Sequence, residues 1–423
     1  MRWLMFVFVV ILAQQISSTL VEDIRVRGLI RDWAPLVWLA PGERFLPLGV
    51  PEFLDNMQAA DNYLQTRTSL QSLLQNRSSF LHGRKPADNI PIYALLKNCI
   101  MNSESLIPSA GATMTKTTIS PSNNLKKHQL PILNAMVDDF DIKSIESNNV
   151  PGSGVSIEKL LVSSFKDRRL SRSHGSHVIP VNSEISKSHI LHEKILQKIK
   201  FHTQHPLHFH VTYWMFYPFS EGKAVCVLDL GILGSWPIPS LGGTCFGRLK
   251  EYGNHVGDWE HVSLYFKDKN YPLAMYVSAH DAGAFYRYEP RSGTFIFESQ
   301  ETRKGIFQKP IFPERVFTAE GSHPILFSAR GSHGLWTAPG KHKFVRLPRL
   351  YDESGFGTPW PTWRKVELLS IHDKHVMPEW MNFTGKWGNP KSNCHPLTKL
   401  GFDICEFVDG PTGIPMKKMN FRC

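Results

Sequence analysis

Two acidic residues stand near the start of one strand-like stretch, His255 to Phe266. Side chains on a strand alternate between its faces with period two, so Asp258 and Glu260 share the face of the apolar residues that end the stretch. Trp259 and His261 point to the other face. Buried carboxylates are unfavourable without partners. We therefore expect a half-buried strand whose two acids lie at the rim of a sheet and pair with a cation, either a side chain or a metal ion.

Two further polar clusters end or begin other strand-like stretches, at Ser278–Asp281 and Ala329–Gly334. Neighbouring hairpins could bring them beside the two acids, and three kinds of chemistry are then open. They are a divalent-cation site, an acid–base pair, and a salt-bridge network in which Arg330 neutralises Asp258 or Glu260. Oxygen-rich ligation suits Mg²⁺ or Ca²⁺, whereas additional imidazoles favour Zn²⁺ or Mn²⁺.

A metal-dependent hydrolase would need an acid or base beside the cation, and the candidates are His261, His280 and His333. The sequence contains no nucleophile elbow, phosphate loop or paired-histidine zinc motif to support it. Aromatic residues at strand spacing are more often core than binding surface. Tyr286 and Tyr288 lie in a turn-like stretch and are expected to be exposed. The predicted ligand contacts are Trp259, Tyr286, Tyr288 and Arg330.

Short apolar or alternating runs separated by glycine and proline dominate the second half of the chain. This pattern predicts a mainly β fold, an antiparallel β-sandwich with a few peripheral helices. The predicted strands are His208 to Tyr217 (ending at Pro218), Ala224 to Leu230, the stretch with the two acids, Leu273 to His280, Thr294 to Glu298, Pro324 to Arg330 and His342 to Leu347. Helices are predicted from Pro51 to about Leu74 and from His189 to His202.

The first nineteen residues have the pattern of a secretory signal peptide, because Arg2 precedes an apolar run too short to span a bilayer. Residues 20–100 are predicted to be the N-terminal part of the β-rich domain. Residues 101–188 are rich in Ser, Thr, Asn and Lys, which predicts a long flexible low-complexity insertion. Residues 189–423 are the main β-sandwich part of the same domain. The chain is expected to be secreted or to lie in the lumen of the secretory or vacuolar pathway.

Secretion favours disulfides over a metal site for the six cysteines, none of which has Cys-x-x-Cys spacing. The predicted pairs are Cys226 with Cys245, Cys394 with Cys405, and Cys99 with Cys423. Sequons at Asn76 and Asn382 predict glycosylation at the surface. The formal charge of +11 suggests an acidic partner such as an anionic lipid or a sulfated glycan, although a generic basic secreted protein has the same balance. No nucleic-acid-binding signature is found.

Motifs along most of the chain resemble the vacuolar protein sorting-associated protein sixty-two family. They are Ala34–Leu39, Gly253–Val262, Ala329–His333, Trp387–Pro390 and Gly410–Gly413. The resemblance covers nearly everything except the signal peptide and the insertion. The family has no well-defined biochemical activity, so this resemblance implies a sorting pathway without implying a reaction.

A more distant resemblance concerns the motif around the two acids. His255, Asp258, Trp259 and Glu260 resemble the Gly-His-Arg-His-Asp-Trp-Glu motif of necrosis- and ethylene-inducing-like proteins, secreted cytolysins with a central β-sandwich. In that family the first histidine, the aspartate and the glutamate help to hold a divalent cation that binds sphingolipid sugar headgroups. The resemblance implies His255, Asp258 and Glu260 as ligands, although the residues between the histidine and the aspartate differ.

Three functional hypotheses follow from these features. The first is a secreted β-sandwich protein that binds a glycan or an anionic lipid headgroup at a membrane surface, through a cation such as Mg²⁺ or Ca²⁺. The second is a metal-dependent hydrolase. The third is a non-catalytic sorting or structural protein of the secretory or vacuolar pathway, in which the polar residues fix the fold.

Overall fold

The computed structural model describes residues 23–99, 207–231, 234–238, 244–302, 310–345, 350–370, 377–396 and 405–423. The predicted signal peptide, the insertion at 101–188 and the predicted helix from His189 to His202 lie outside the described residues. Within the described ranges, no helix is long and apolar enough to cross a membrane.

Strands make up most of the regular structure, as the turn-punctuated pattern predicts, and helices are few. The helices are α1 (residues 23–32), α2 (Val50–Asp55) and α3 (Leu70–Gln75). The strands are β1 (Leu36–Leu39), β2 (Met57–Ala60), β3 (Tyr63–Thr66), β4 (Ile92–Asn98), β5 (His208–Ser220), β6 (Lys223–Asp229), β7 (Ser235–Pro237), β8 (Arg248–Tyr252), β9 (His255–Lys267), β10 (Ala274–Ala279), β11 (Ala282–Glu289), β12 (Thr294–Thr302), β13 (Arg315–Val316), β14 (Thr318–Ala319), β15 (His323–Ser328), β16 (Leu335–Trp336), β17 (Gly340–Val345), β18 (Leu350–Ser354), β19 (Thr358–Pro361), β20 (Val366–Ser370), β21 (Ser392–Cys394) and β22 (Cys405–Phe407).

Two sheets form the body of the fold. The larger has eight strands in the order β13-β12-β11-β10-β9-β5-β4-β20, and the second has the order β14-β15-β1-β19 with β16 paired to β15. Most neighbouring strands are antiparallel, but β1 pairs with β15, and β4 with β20, in parallel. The predicted mainly β, largely antiparallel fold with few helices is therefore confirmed, with two parallel pairs added to it.

Apolar clusters cover both faces of the eight-stranded sheet at β4, β5, β9 and β20. Between the two sheets, Met215 of β5 and Val262 of β9 pack in one cluster with residues of β1 and β19. On the opposite face, Trp214 and Trp259 pack in a second cluster with Phe53 of α2. The predicted alternation along β9 is confirmed, but the prediction of a half-buried strand is wrong. Strand β9 is buried on both faces because α2 and the β2–β3 hairpin cover the second one.

Two local predictions are also wrong. The predicted helix from Pro51 to Leu74 is broken into α2, the β2–β3 hairpin and α3, because the backbone turns at Asp61 and the Leu64 N–H donates to the Lys386 carbonyl. Strand β5 does not end at Pro218. Its pairing with β4 stops at Trp214, so Pro218 lies where no ladder bond to β4 is needed.

The six cysteines form the three pairs that the sequence predicts. Cys226 is bonded to Cys245, Cys394 to Cys405, and Cys99 to Cys423. The first two pairs close short loops of 19 and 11 residues, whereas the third ties the residue after β4 to Cys423, 324 residues away. A loop closed over that distance removes a large amount of chain entropy from the unfolded state.

Candidate functional site

Asp258 is bonded to a histidine that the sequence places in a different polar cluster. The His333 Nδ1 lies 3.0 Å from an Asp258 oxygen, and its Nε2 lies 3.0 Å from the Phe45 carbonyl oxygen and 3.9 Å from a Glu43 oxygen. The imidazole is fully buried and stacks on Tyr217, with ring centroids 3.9 Å apart. Since both ring nitrogens face oxygen acceptors, the geometry suits a positively charged imidazole that donates in two directions.

The protonation of this part of the site follows from burial and neighbouring charges. Burial alone would lower the pKa of His333, but the hydrogen bond to Asp258 and the charge of the nearby Glu43 carboxylate raise that pKa to about 10. Burial would raise the pKa of Asp258, yet the His333 hydrogen bond and the charge of His255 hold it below its ordinary value. Burial and the charge of Asp258 raise the pKa of Glu260. The pKa values of the two acids are therefore shifted in opposite directions, because a histidine bonds Asp258 while Glu260 faces a like charge.

His255 is held by its own strand rather than by the two acids. Its Nδ1 donates to the Gly257 carbonyl oxygen at 2.7 Å. Gly257 has a φ of +72°, and a Cβ there would lie 2.0 Å from the Trp387 carbonyl oxygen, so only glycine fits. This close approach brings the segment around Trp387 against the start of β9.

The described residues do not gather His255, Asp258 and Glu260 into a set of metal ligands. In these ranges, the group whose three ligand atoms all lie within 4.8 Å of one another is Cys99, His210 and Cys423, and its two sulfurs are joined in a disulfide. The residues that the resemblance implies as ligands are therefore all present, but their ligand atoms do not all lie within 4.8 Å of one another. Asp258 is neutralised by His333 instead.

Sequence reasoning missed a fourth acid, Asp352 of β18. Its side chain is completely buried and accepts four hydrogen bonds, from His280 Nε2 at 2.6 Å, Lys223 Nζ at 2.8 Å, Ser332 Oγ at 2.7 Å and Trp336 Nε1 at 2.9 Å. Burial would raise the pKa of Asp352, but the charges and hydrogen bonds of His280 and Lys223 hold it far below its ordinary value. Nothing in the spacing around residues 350–354 signals a buried acid.

The predicted meeting of the three polar clusters is found, and adjacent residues join them. Ser332 bonds Asp352, and His333 bonds Asp258. We call Glu43, Lys223, Asp258, Glu260, His280, Ser332, His333 and Asp352 the buried polar network. The predicted neutralising role of Arg330 is wrong, because its guanidinium pairs at 3.0 Å with Glu353 and both side chains are about half exposed. His333 pairs with Asp258, and Lys223 pairs with Asp352, instead.

The predicted acid or base residues are separated or already engaged. His261 lies on the opposite face of β9, where its Nε2 contacts the Asn420 amide at 2.8 Å. His280 is bonded to Asp352, and the Ser332 hydroxyl donates to that same carboxylate rather than to a histidine. Each of the three predicted acid or base histidines, His261, His280 and His333, therefore contacts another side chain of the described structure.

The predicted aromatic contacts are mostly core. Trp259 is buried in the second apolar cluster, and Tyr286 is fully buried and donates to the Pro313 carbonyl oxygen. The prediction that Tyr286 is exposed is wrong, because β11 is an inner strand whose Tyr286 face packs between the two sheets. Tyr288 is half-buried against the edge of Trp33, with ring centroids 5.1 Å apart.

Comparison with known proteins gives two informative matches. The chain is 27 % identical over 223 residues to the putative vacuolar protein sorting-associated protein TDA6 of Saccharomyces cerevisiae, and 27 % identical over 227 residues to vacuolar protein sorting-associated protein 62 of the same yeast. Each match covers 49 % of this chain and 41 % of the relative. No family model matches the chain, and no solved structure is significantly similar to it. The two matches confirm the resemblance to the vacuolar protein sorting-associated protein 62 family that the motifs indicate.

Proposed function

We propose that this chain is a non-catalytic protein of the secretory or vacuolar pathway, and that its buried polar network fixes the junction between the two sheets. The observation that carries this proposal is that the network neutralises its own charges. Asp258 is paired with His333, and Asp352 with Lys223 and His280. Carboxylates that serve substrate or metal keep open coordination positions, whereas these have internal partners. The names of the two yeast relatives support the pathway.

The sequons provide a test of the proposed compartment. Asn76 and Asn382 are both exposed, and the Asn76 side-chain oxygen accepts from the Ser78 N–H and hydroxyl, which leaves its amide nitrogen at the surface. Expressed in its own secretory pathway, the full chain is expected to lose mass on endoglycosidase treatment. Asn76→Gln and Asn382→Gln should each lack one glycan. Each variant should therefore lose less mass than the unmodified protein when treated with endoglycosidase and run on a denaturing gel.

Cell fractionation completes this test. We expect the glycosylated protein either in the medium or in the vacuolar or secretory fraction, and in that fraction it should resist added protease until the membranes are dissolved. An unglycosylated chain that protease degrades in intact cell extracts would contradict the proposed compartment. Because the three disulfides need an oxidising environment, alkylation of thiols provides a further check: none of the six cysteines should react without reduction.

Glycan binding is a second candidate function, and one pocket favours it. A cavity of about 460 Å³ is lined by Trp380 and Phe383, which are half-buried, and by the carboxylates of Asp55 and Glu379. Aromatic faces stack on the apolar side of sugar rings, while carboxylates accept hydrogen bonds from sugar hydroxyls. A glycan array tests this candidate. The unmodified protein should bind, Trp380→Ala should abolish binding, and Phe356→Ala, which removes an exposed aromatic ring elsewhere, should retain it. An array without binding would remove it.

A further inference from the structure

The central hairpin of the eight-stranded sheet continues outward as a separate small sheet. Strands β5 and β9 pair along their length. Beyond Ser220 and His255, short connections lead from β5 into β6 and from β8 into β9, and β6 pairs with both β8 and β7. The Gly222 N–H donates to the Asn254 side chain at the base of this extension. We call its described residues, 221–231, 234–238 and 244–254, the arm.

One face of the arm carries apolar side chains to solvent. In the register of the sheet, Leu228 stands opposite Trp236, and Cys226 stands opposite Leu249, so these residues share a face. Leu228, Trp236 and Leu249 are 44 %, 37 % and 63 % exposed. Leu230 and Phe246 add further apolar surface at the tip. Of the large hydrophobic side chains that are exposed in the described chain, more than half therefore belong to the arm.

The arm holds this surface in place with covalent and backbone ties. The disulfide between Cys226 and Cys245 closes the tip. At the base, the Gly253 N–H donates to the Cys405 carbonyl oxygen at 3.0 Å. A fixed element that presents a clustered apolar face marks a contact surface, because such a face is unfavourable in water and contributes nothing to the core.

We propose that the tip of the arm docks on an anionic lipid surface. Tryptophan, phenylalanine and leucine are the side chains that enter the interfacial region of a bilayer, and cations beside them bind anionic headgroups. Arg248 and Lys250 alternate with Leu249 along β8 and therefore lie on its other face. Lys250 is half-buried and lies 3.7 Å from Glu406, so the exposed Arg248 is the cation that the arm offers at the edge of its apolar face. The exposed Arg248 lies 3.7 Å from Asp229, a contact too weak to hold it from headgroups. The net charge of +11 also attracts the whole chain to an anionic lipid surface.

This inference goes beyond the proposed function, since a lipid-docking arm would act in whichever compartment the protein occupies. Vesicle sedimentation with the purified full chain tests it. Vesicles of phosphatidylcholine with about 30 % phosphatidylserine are expected to bind the protein more tightly than phosphatidylcholine alone, with the difference reduced at high salt. Phe246→Ser combined with Leu249→Ser should lower binding to the anionic vesicles at least tenfold, because both side chains lose their apolar surface.

A matched control removes an exposed apolar side chain elsewhere. Ile311 is 78 % exposed and lies outside the arm, so Ile311→Ser should bind as the unmodified protein does. Equal binding by the arm variant, or no binding of the unmodified protein to either vesicle, overturns the proposal. A dimer in solution that the arm variant dissolves also overturns it, because a second copy would then cover the face. None of these results depends on glycosylation or on vacuolar location.

Discussion

Asp352→Asn is expected to lower the free energy of unfolding by about 3 kcal/mol, because it removes a fully buried charge that balances the partly exposed Lys223 ammonium. The Asp352 carboxylate accepts from four donors, including Lys223 and His280, and its side chain has no exposed surface. An asparagine of the same shape keeps the volume but turns an amide N–H towards these donors, and among them the Lys223 ammonium would keep only the Ser332 hydroxyl oxygen, at 3.1 Å, as a full acceptor in the described structure. Urea unfolding followed by tryptophan fluorescence measures the change.

The neighbouring acid supplies the control for this variant. Glu353 is about half exposed. In the part of the chain that the structure describes, its carboxylate forms an ion pair with the equally exposed Arg330. Glu353→Gln is expected to change the free energy of unfolding by less than about 0.5 kcal/mol. If the two variants had equal effects, the buried network would not stabilise the fold in the way described here.

Raising the pH from 6.5 to 10 is expected to destabilise the protein through His333. A group whose pKa is higher in the folded state contributes stability that is complete below its ordinary pKa and is lost as the pH rises through the folded value. The pKa of His333 rises from 6.5 to about 10, which corresponds to a loss of up to about 5 kcal/mol over this range. Glu260 acts in the same direction, since its raised pKa means that the folded state holds the proton more tightly.

Unfolding curves at several pH values, for the unmodified protein and for His333→Gln, measure this effect. We expect the variant to be less stable at pH 6 and to show a much flatter decline above it. His208 contacts Tyr265 and lies outside the buried polar network, so His208→Gln should keep the steep decline in stability. On the acid side, the lowered pKa values of Asp258 and Asp352 predict a second loss of stability as the pH falls below about 4. A decline of equal slope in His333→Gln would show that another group titrates.

Much of the sheet could be predicted because its signals are local. The alternation from His255 to Phe266 gave the faces of β9 correctly, and the aromatic run after His208 marked β5. The second covering layer could not be predicted, because the segment from Pro51 to about Leu74 has helical apolar spacing but folds as α2, the β2–β3 hairpin and α3. Their positions depend on contacts with distant residues such as Trp387.

The site was predictable in part, for a different reason. Residue types identified Asp258, Glu260 and His333 as chemically important, and strand ends brought them together as expected. The choice of partner was not predictable, because it depends on which cation the tertiary fold buries beside each acid. Asp352 illustrates this, since its five-residue strand has neither a motif nor a histidine neighbour in sequence. The apolar face of the arm likewise emerges only from the pairing of β6 with β7 and β8.

The measurement that most directly tests the central claim is the free energy of unfolding at pH 6 in chelator and in millimolar Ca²⁺ or Mg²⁺. If His333 is the counter-ion of Asp258, stability should be the same in all these solutions to within about 0.5 kcal/mol. A cation held by His255, Asp258 and Glu260 would instead stabilise the folded state by mass action. Stability that falls in chelator, returns with Ca²⁺ or Mg²⁺, and loses this dependence in Asp258→Asn would contradict the internal network and establish a metal site.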